Sequence, residues 1–488
     1  MTDRDLLMHA ARTDFLTFAR LMFGVLNPGV RFEHNWHLEA IAAALERAIH
    51  SRTVRQIVTL PPRSLKSFLI SEAFVAFLLG QNPGLQIICV TYSEKLSETQ
   101  SLNTARIMRS PLYKRIFPNT CLERDTMLYL TTSKGGSRRA ASVGGSITGF
   151  GGDWVIIDDP MNAPDAHSKS ARDSVIAYFD RALSSRVNDE TSSRFIAVMQ
   201  RLHQDDLVGH LLAKGGWDEL RLPATATGPA LIDLGHGRQY RVEPGDLLHP
   251  RRLPLEVLDR KKLEVGSIVF QAQYQQDPVP ADGNIVHAEW LRFYTNDPRG
   301  ADARIVLSLD TAVKTNPAND YSVCTVWASR PQSHHLLHVW RAKVEYTQLK
   351  PIVIQLYQHY QADHLLIEDH NNGATLIQEL RSFGIPATGR TPNRDKETRL
   401  VAATPFMESG QMYLPVDAPW LQEFVTELLA FPGRHDDQVD SVSQYFAWIA
   451  ERSFSRFEYS FLDDPVTPAG NDEPARSLGE VLASLPRY

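Results

Sequence analysis

Leu60-Pro61-Pro62-Arg63-Ser64-Leu65-Lys66-Ser67 is the stretch on which the fold turns. It follows an apolar run, Gln56–Leu60, that reads as a strand, and it opens Lys66–Leu79, which reads as a helix. A loop that holds nucleotide phosphates needs a lysine for the β- and γ-phosphates and a Ser or Thr for Mg²⁺. Both belong at the start of a helix whose free N–H groups face the anion. Lys66 and Ser67 stand in that place, and Arg63, Ser64 and Leu65 complete the segment expected to touch nucleotide. The glycines usual in such loops are missing, with Leu60 and Leu65 in their positions. On its own, a Lys-Ser pair after a strand is common by chance.

Trp154-Val155-Ile156-Ile157-Asp158-Asp159 supplies the second half of the pattern. It is an apolar strand that ends in two carboxylates and is stopped by Pro160. That is the layout of a Walker B element, in which Asp158 would hold Mg²⁺ through water and Asp159 would orient the attacking water. Further apolar strands at Gln86–Thr91 and Arg194–Met199 alternate with helices at Glu94–Met108 and Asp173–Leu183. Continuous apolar strands separated by helices imply a parallel sheet covered on both faces. The Lys66–Leu79 helix is apolar nearly all round, which places it in the core, and Gly80 and Pro83 are expected to end it. Gln200, just past its strand, is placed to sense a γ-phosphate, and Arg63 to stabilise charge there. Arg138-Arg139, ahead of the glycine-rich Gly144–Gly152, reads either as a basic loop or as arginines that reach a neighbouring subunit's nucleotide or DNA. Trp36-His37 reads either as core or as a neighbour of adenine.

Working outward, residues 1–50 carry helical periodicity. Residues 222–300 are punctuated by Pro and Gly and read as a connector with a short helix near Leu255–Leu263. A second α/β unit starts near Ala303. It has strands at Arg304–Asp310, Ser322–Ala328 and His335–Arg341, a helix at Thr347–Tyr360, a strand at His364–Glu368, and helices at Ala374–Phe383 and Asp436–Ala450. Asp310 and Glu368 end two of these strands, and Asp437 and Asp440 open the last helix. Oxygen ligands of this kind suit hard divalent cations, and two metals about 3.5–4 Å apart can activate water and stabilise the leaving oxygen of a phosphodiester. The order of strands, helices and acids is ribonuclease-H-like. Asp437 and Asp440 lie three apart and share a helix face, so either can be the third ligand. His335 and His338 fall on opposite faces of a strand, which argues against zinc there. Beyond Ser455 the composition is that of a mobile tail.

The chain has 488 residues, 43% hydrophobic and 22% charged, which is ordinary for a soluble globular protein of two to four domains. The net charge of -6 means that any nucleic-acid contact comes from local basic patches. Cys89, Cys121 and Cys324 are widely spaced, which fits a reducing compartment and excludes a cysteine zinc site. The apolar stretch around Phe74–Leu79 is far short of a ~20-residue membrane span, and the N-terminus lacks a signal-peptide layout.

An ATPase followed by a ribonuclease-H-like nuclease resembles the large subunit of a tailed-bacteriophage or prophage terminase. The resemblance spans about residues 30–450 and rests on five stretches. They are Pro61–Ser67, Gly144–Asp159, Met199-Gln200-Arg201-Leu202-His203, Ile367-Glu368-Asp369-His370-Asn371-Asn372-Gly373 and His435-Asp436-Asp437-Gln438-Val439-Asp440. Asp159 stands where many relatives place Glu. The resemblance implies a P-loop (ASCE-type) ATPase domain over residues 1–221, a connector over 222–300, a ribonuclease-H-like nuclease over 301–455 and a tail over 456–488. It implies ATP with Mg²⁺ in the first domain and Mg²⁺ or Mn²⁺ in the nuclease. It further implies packaging of double-stranded DNA into a procapsid, with a small terminase subunit and the portal protein as partners. The working form would be a ring, typically of five subunits, in the host bacterial cytoplasm and transiently docked at the portal; the free subunit would be monomeric. No membrane partner is expected. Two rivals stand beside this. A DNA-repair helicase-nuclease would need a second motor domain, for which 222–300 is too short. A scaffold with a decayed ATPase is suggested by the absent glycines.

Overall fold

The computed structural model of the chain describes residues 3–147, 149–278, 285–311, 321–369, 372–392, 394–432 and 436–460. Eight strands form the first sheet: β1 (Val54–Thr59), β2 (Gln86–Thr91), β3 (Leu122–Asp125), β4 (Tyr129–Thr132), β5 (Ser137–Ser142), β6 (Trp154–Asp158), β7 (Arg194–Met199) and β8 (Asp218–Arg221). Their spatial order is β3-β4-β5-β2-β6-β7-β1-β8. From β5 through β8 every pairing is parallel, and β3 and β4 extend the sheet antiparallel. The strands expected from sequence are the central ones. Helices cover both of their faces, so β6 is buried at every residue. β7 stands between β1 and β6, which leaves the strand before Lys66 and the acidic strand one strand apart.

The helices Asp3–Thr13, Phe15–Leu26 and Trp36–His50 bear out the helical N-terminus. Phe15 and Phe18 pack on Phe74 and Phe77 with ring centroids 5.3 Å apart in each pair. The apolar helix is in the core as expected, but it is wound as a π-helix over Phe68–Ala73 before continuing as Phe74–Gln81. Gly80 does not end it. A Cβ there would lie 2.3 Å from the Phe117 ring, so glycine is required for close packing and the helix ends one residue later.

The connector holds more than one short helix. A hairpin of β9 (Ala230–Gly235) and β10 (Arg238–Val242) is followed by helices Leu255–Val265 and Ser267–Gln273 and by β11 (Arg292–Tyr294). Its prolines and glycines mark turns between these small elements. Ile285, Val286, Trp290 and Leu291 already pack in the second core.

That core lines a seven-stranded sheet completed by β12 (Arg304–Asp310), β13 (Ser322–Arg330), β14 (Ser333–Ala342), β15 (His364–Glu368), β16 (Ala387–Arg390) and β17 (Met412–Pro415). The order is β11-β17-β14-β13-β12-β15-β16. β12, β13 and β14 are the three expected consecutive strands and pair antiparallel, and β15 lies parallel beside β12. Tyr346–His359 and Asn372–Ser382 cover one face, where Leu349, Val353, Leu376 and Leu380 are buried together. Lys396–Glu408, Leu421–Ala430 and Asp437–Ser460 cover the other, with Trp327 stacked on Tyr445 at 4.4 Å. The last helix runs past the expected Ala450; the expected tail from 461 on, His370, Asn371 and His435 lie outside the described residues. Among the described residues no helix is long and apolar enough to cross a membrane.

Candidate nucleotide and metal sites

The loop Leu60–Ser67 has a tight shape without glycine. Arg63 and Leu65 sit at φ 59° and 61°, in the left-handed region, where an L-residue pays about 1–2 kcal/mol. Leu65 offsets this by packing against the first core. Leu60, at the other glycine position, is a buried continuation of β1 and needs no special backbone.

Lys66 donates from Nζ to Asp159 Oδ1 at 2.8 Å, and both side chains are largely buried. Asp159 also has a positive φ of 42°, and its Oδ1 accepts the Gln200 N–H at 3.3 Å. Asp158 accepts from Ser67 Oγ at 3.2 Å, Ser71 Oγ at 2.7 Å and Gln100 Nε2 at 2.8 Å. Burial and the adjacent Asp159 push the Asp158 carboxyl up to about 6, against the pull of Lys66 and the two serines. Ser67 and Ser71 lie four residues apart on one helix face, so both reach this acid. Gln200 Oε1 is buried with no hydrogen-bond partner among the described residues.

Lys66, Ser67, Asp158, Asp159 and Gln200 are thus together. Arg63, Ser64 and Leu65 line an adjoining cavity of about 310 Å³ with His37 and His249. Burial, then His249, lowers His37 to about 3, so its ring is neutral. Trp36 is elsewhere, stacked on Tyr240 at 4.7 Å. The arginine pair is not a basic loop. Arg138 and Arg139 lie in β5; Arg138 is fully buried and the Arg139 guanidinium sits 3.3 Å over Phe150. An arginine in a strand interior carries no apolar signal, which is why its burial was illegible.

At the second site, Asp310 and Glu368 end the neighbouring strands β12 and β15, and Asp437 and Asp440 lie in the first turn of the last helix. Lys396 Nζ reaches Asp436 Oδ1 at 2.7 Å and Asp440 Oδ2 at 2.8 Å. Arg399 reaches Asp440 Oδ1 at 2.8 Å and Glu368 Oε2 at 3.6 Å. The Tyr321 N–H donates to Asp437 Oδ2 at 3.3 Å. Burial holds the Asp310 carboxyl well above its ordinary range, and Asp440, Glu368 and Asp437 add to the rise in that order. Burial also lifts Asp440 to about 6 despite Arg399 and Lys396. The donor set, all oxygen with excess negative charge, fits a hard divalent cation. Among the described residues no three of these acids place carboxylate oxygens within 4.8 Å of one another. The nearby histidines have other partners: His334 meets the Tyr445 hydroxyl at 2.9 Å and His335 stacks on Tyr413.

Several residues of these sites were missed from sequence. Gln100 and Ser71 had no signal, because their role depends on a long-range meeting with Asp158. Asp206 is fully buried and holds the loop after β7 by accepting from Arg201 and the Leu202 N–H. Its signal was available, as an Asp capping the apolar helix Leu207–Lys214. Lys396 and Arg399 lie in the helix capped by Asp395, but nothing in the sequence tied them to the acids.

Residues 307–447 match the family described as the terminase RNaseH-like domain. No curated protein matches the chain. Among solved structures, the large terminase of a thermophilic bacteriophage is similar with a TM-score of 0.51 at 10% identity, over 84% of this chain and 98% of that one. The same phage protein in complex with ADP gives 0.50, with the same identity and coverage. Residues 307–447 therefore match a terminase-type RNaseH-like domain, and 84% of the chain shares the fold of a phage large terminase.

Proposed function

We propose that this protein is a viral DNA-packaging motor subunit: an ATPase that drives double-stranded DNA into a procapsid, joined to a metal-dependent endonuclease that cuts concatemeric DNA. The observation that carries this is the pairing, in one chain, of the Lys66–Asp159 site with the acid cluster of a terminase-type RNaseH-like domain. The glycine-free loop keeps its tight turn through Arg63 and Leu65, which favours a working ATPase over a decayed one.

In the ATPase half, over about residues 1–221, Lys66 exchanges Asp159 for phosphate oxygens when ATP enters. The Asp159 carboxylate is then free to accept a hydrogen bond from the attacking water. Ser67 and Asp158 would hold Mg²⁺, which neutralises phosphate charge. Gln200 and Arg63 face the γ-phosphate end, Ser64 and Leu65 supply the loop backbone, and the cavity beside His37 takes the base. In the nuclease half, Asp310, Glu368, Asp437 and Asp440 would hold Mg²⁺ or Mn²⁺, which supplies an activated water and stabilises the leaving oxygen. Asp440 adds more than Asp437 to the rise of the Asp310 carboxyl, which favours Asp440 over Asp437 as the third ligand. The small terminase subunit, the portal and a five-membered ring on the procapsid are the partners, with a monomer free in the bacterial cytoplasm; these rest on the family resemblance.

The test uses the purified full chain, assayed for DNA-stimulated ATP hydrolysis and Mn²⁺-dependent DNA cleavage. Lys66→Ala should abolish the first and spare the second, and Asp310→Ala the reverse. Loss of both activities in either variant, with the fold intact, would refute the division into two sites.

A further inference from the structure

The acid cluster is already bridged by two cations from one helix. Asp440 has both carboxylate oxygens engaged, Oδ1 by Arg399 and Oδ2 by Lys396. The two cations differ in freedom. The Arg399 side chain is 14% exposed, whereas the Lys396 side chain is 43% exposed on a flexible four-carbon stem. The backbone that carries them is fixed independently of the acids. Asp395 caps the helix by accepting the Thr398 N–H at 2.9 Å, and its side chain also meets Ser168, ten residues beyond Asp158 in the nucleotide-binding half.

We propose that Lys396 is a tethered latch that closes the acid cluster in the metal-free protein and must swing out to solvent when a divalent cation binds. This rests on the nuclease reading of the cluster. A cation held by Asp440 would come within a few ångströms of the ammonium on the same carboxylate, and like charges at that separation repel strongly. Arg399 stays and keeps Glu368 and Asp440 in place. The latch gives the buried acids counter-charge before metal arrives and makes cation loading a competition.

The experiment is isothermal titration of Mn²⁺ into the full chain without nucleotide, for wild type, Lys396→Met and Asp310→Ala, with thermal melts alongside. Methionine keeps the stem and removes the charge. Lys396→Met should bind Mn²⁺ on the order of tenfold more tightly, because two charge-assisted hydrogen bonds no longer compete. The variant should melt below wild type without metal, and the gap should narrow at saturating Mn²⁺, where the latch is open in both. Unchanged or weaker Mn²⁺ binding by Lys396→Met, with binding still lost in Asp310→Ala, overturns the latch and leaves the metal site standing. Mn²⁺ binding by Asp310→Ala equal to wild type overturns the metal site itself.

Discussion

Replacing Lys66 by Met tests the nucleotide site through stability as well as activity. In the nucleotide-free protein the ammonium is 2.8 Å from Asp159, and their side chains are only 7% and 23% exposed. Without it, Asp159 and the fully buried Asp158 face each other with no cation between them. Removing one partner of a largely buried pair costs about 3 kcal/mol. For a unit of about 220 residues that lowers the melting temperature by roughly 6–12 °C. Adding Asp159→Asn removes the stranded charge, so the double variant should melt well above the value expected from adding the two single effects. The assay is a thermal melt of the full chain at low ionic strength, paired with ATP turnover. Turnover should be lost in both Lys66→Met and the double variant, while the melting temperature recovers only in the second. Strict additivity of the two substitutions would refute the idea that Lys66 neutralises this acid pair.

Asp158→Asn should lose Mg²⁺-dependent hydrolysis, whereas Asp159→Asn should still bind ATP and hydrolyse it slowly; equal loss of nucleotide binding in both would contradict the separate roles. Mn²⁺ should raise the melting temperature of the full chain, and Asp310→Ala should remove that shift together with DNA cleavage while leaving ATP hydrolysis. Glu72 is a buried carboxyl in the π-turn that accepts from Asn103, and burial raises it from 4.5 to about 7. A raised carboxyl binds its proton more tightly in the folded state, so stability falls as pH climbs from about 4.5 to about 7. Glu72→Gln should therefore be near neutral at pH 4.5 and up to about 3 kcal/mol more stable than wild type at pH 8; urea melts showing no growth of the difference with pH would contradict this.

What could be read in advance follows from how local each signal is. β1, β2, β6 and β7 are buried on both faces, so their apolar runs announce them whatever surrounds them. β3 and β5, with sequences LERD and SRRAAS, have no such run; β5 is a strand because β2 pairs with it, and its Arg138 is buried by that pairing. The acids Asp310, Glu368, Asp437 and Asp440 were legible because a carboxylate at a strand or helix end is itself the signal. Lys396 and Arg399 were not, since a basic residue in a helix's first turn ordinarily faces solvent and only the fold brings the acids across to it. The missing glycine at Leu65 misled in the other direction, because a leucine can hold the left-handed turn when its side chain is packed.

Both sites use the same device with opposite consequences. Each has a lysine in the first turn of a helix, or at its start, that neutralises acids while no ligand is bound: Lys66 with Asp159, and Lys396 with Asp436 and Asp440. The sign of the arriving charge decides what the lysine does next. At the first site the proposed newcomer is a phosphate, an anion, so Lys66 would gain a partner by staying, and its burial gives it nowhere else to go. At the second the proposed newcomer is a cation, so Lys396 would lose its place, and its exposure gives it a route out. Removing the charge should therefore act in opposite senses, with ADP binding weakened in Lys66→Met and Mn²⁺ binding tightened in Lys396→Met. If both substitutions weaken their ligand, Lys396 is a component of the metal site rather than its competitor. If Lys66→Met leaves ADP affinity unchanged, the Lys66–Asp159 pair is structural and the phosphates are held by the loop backbone alone.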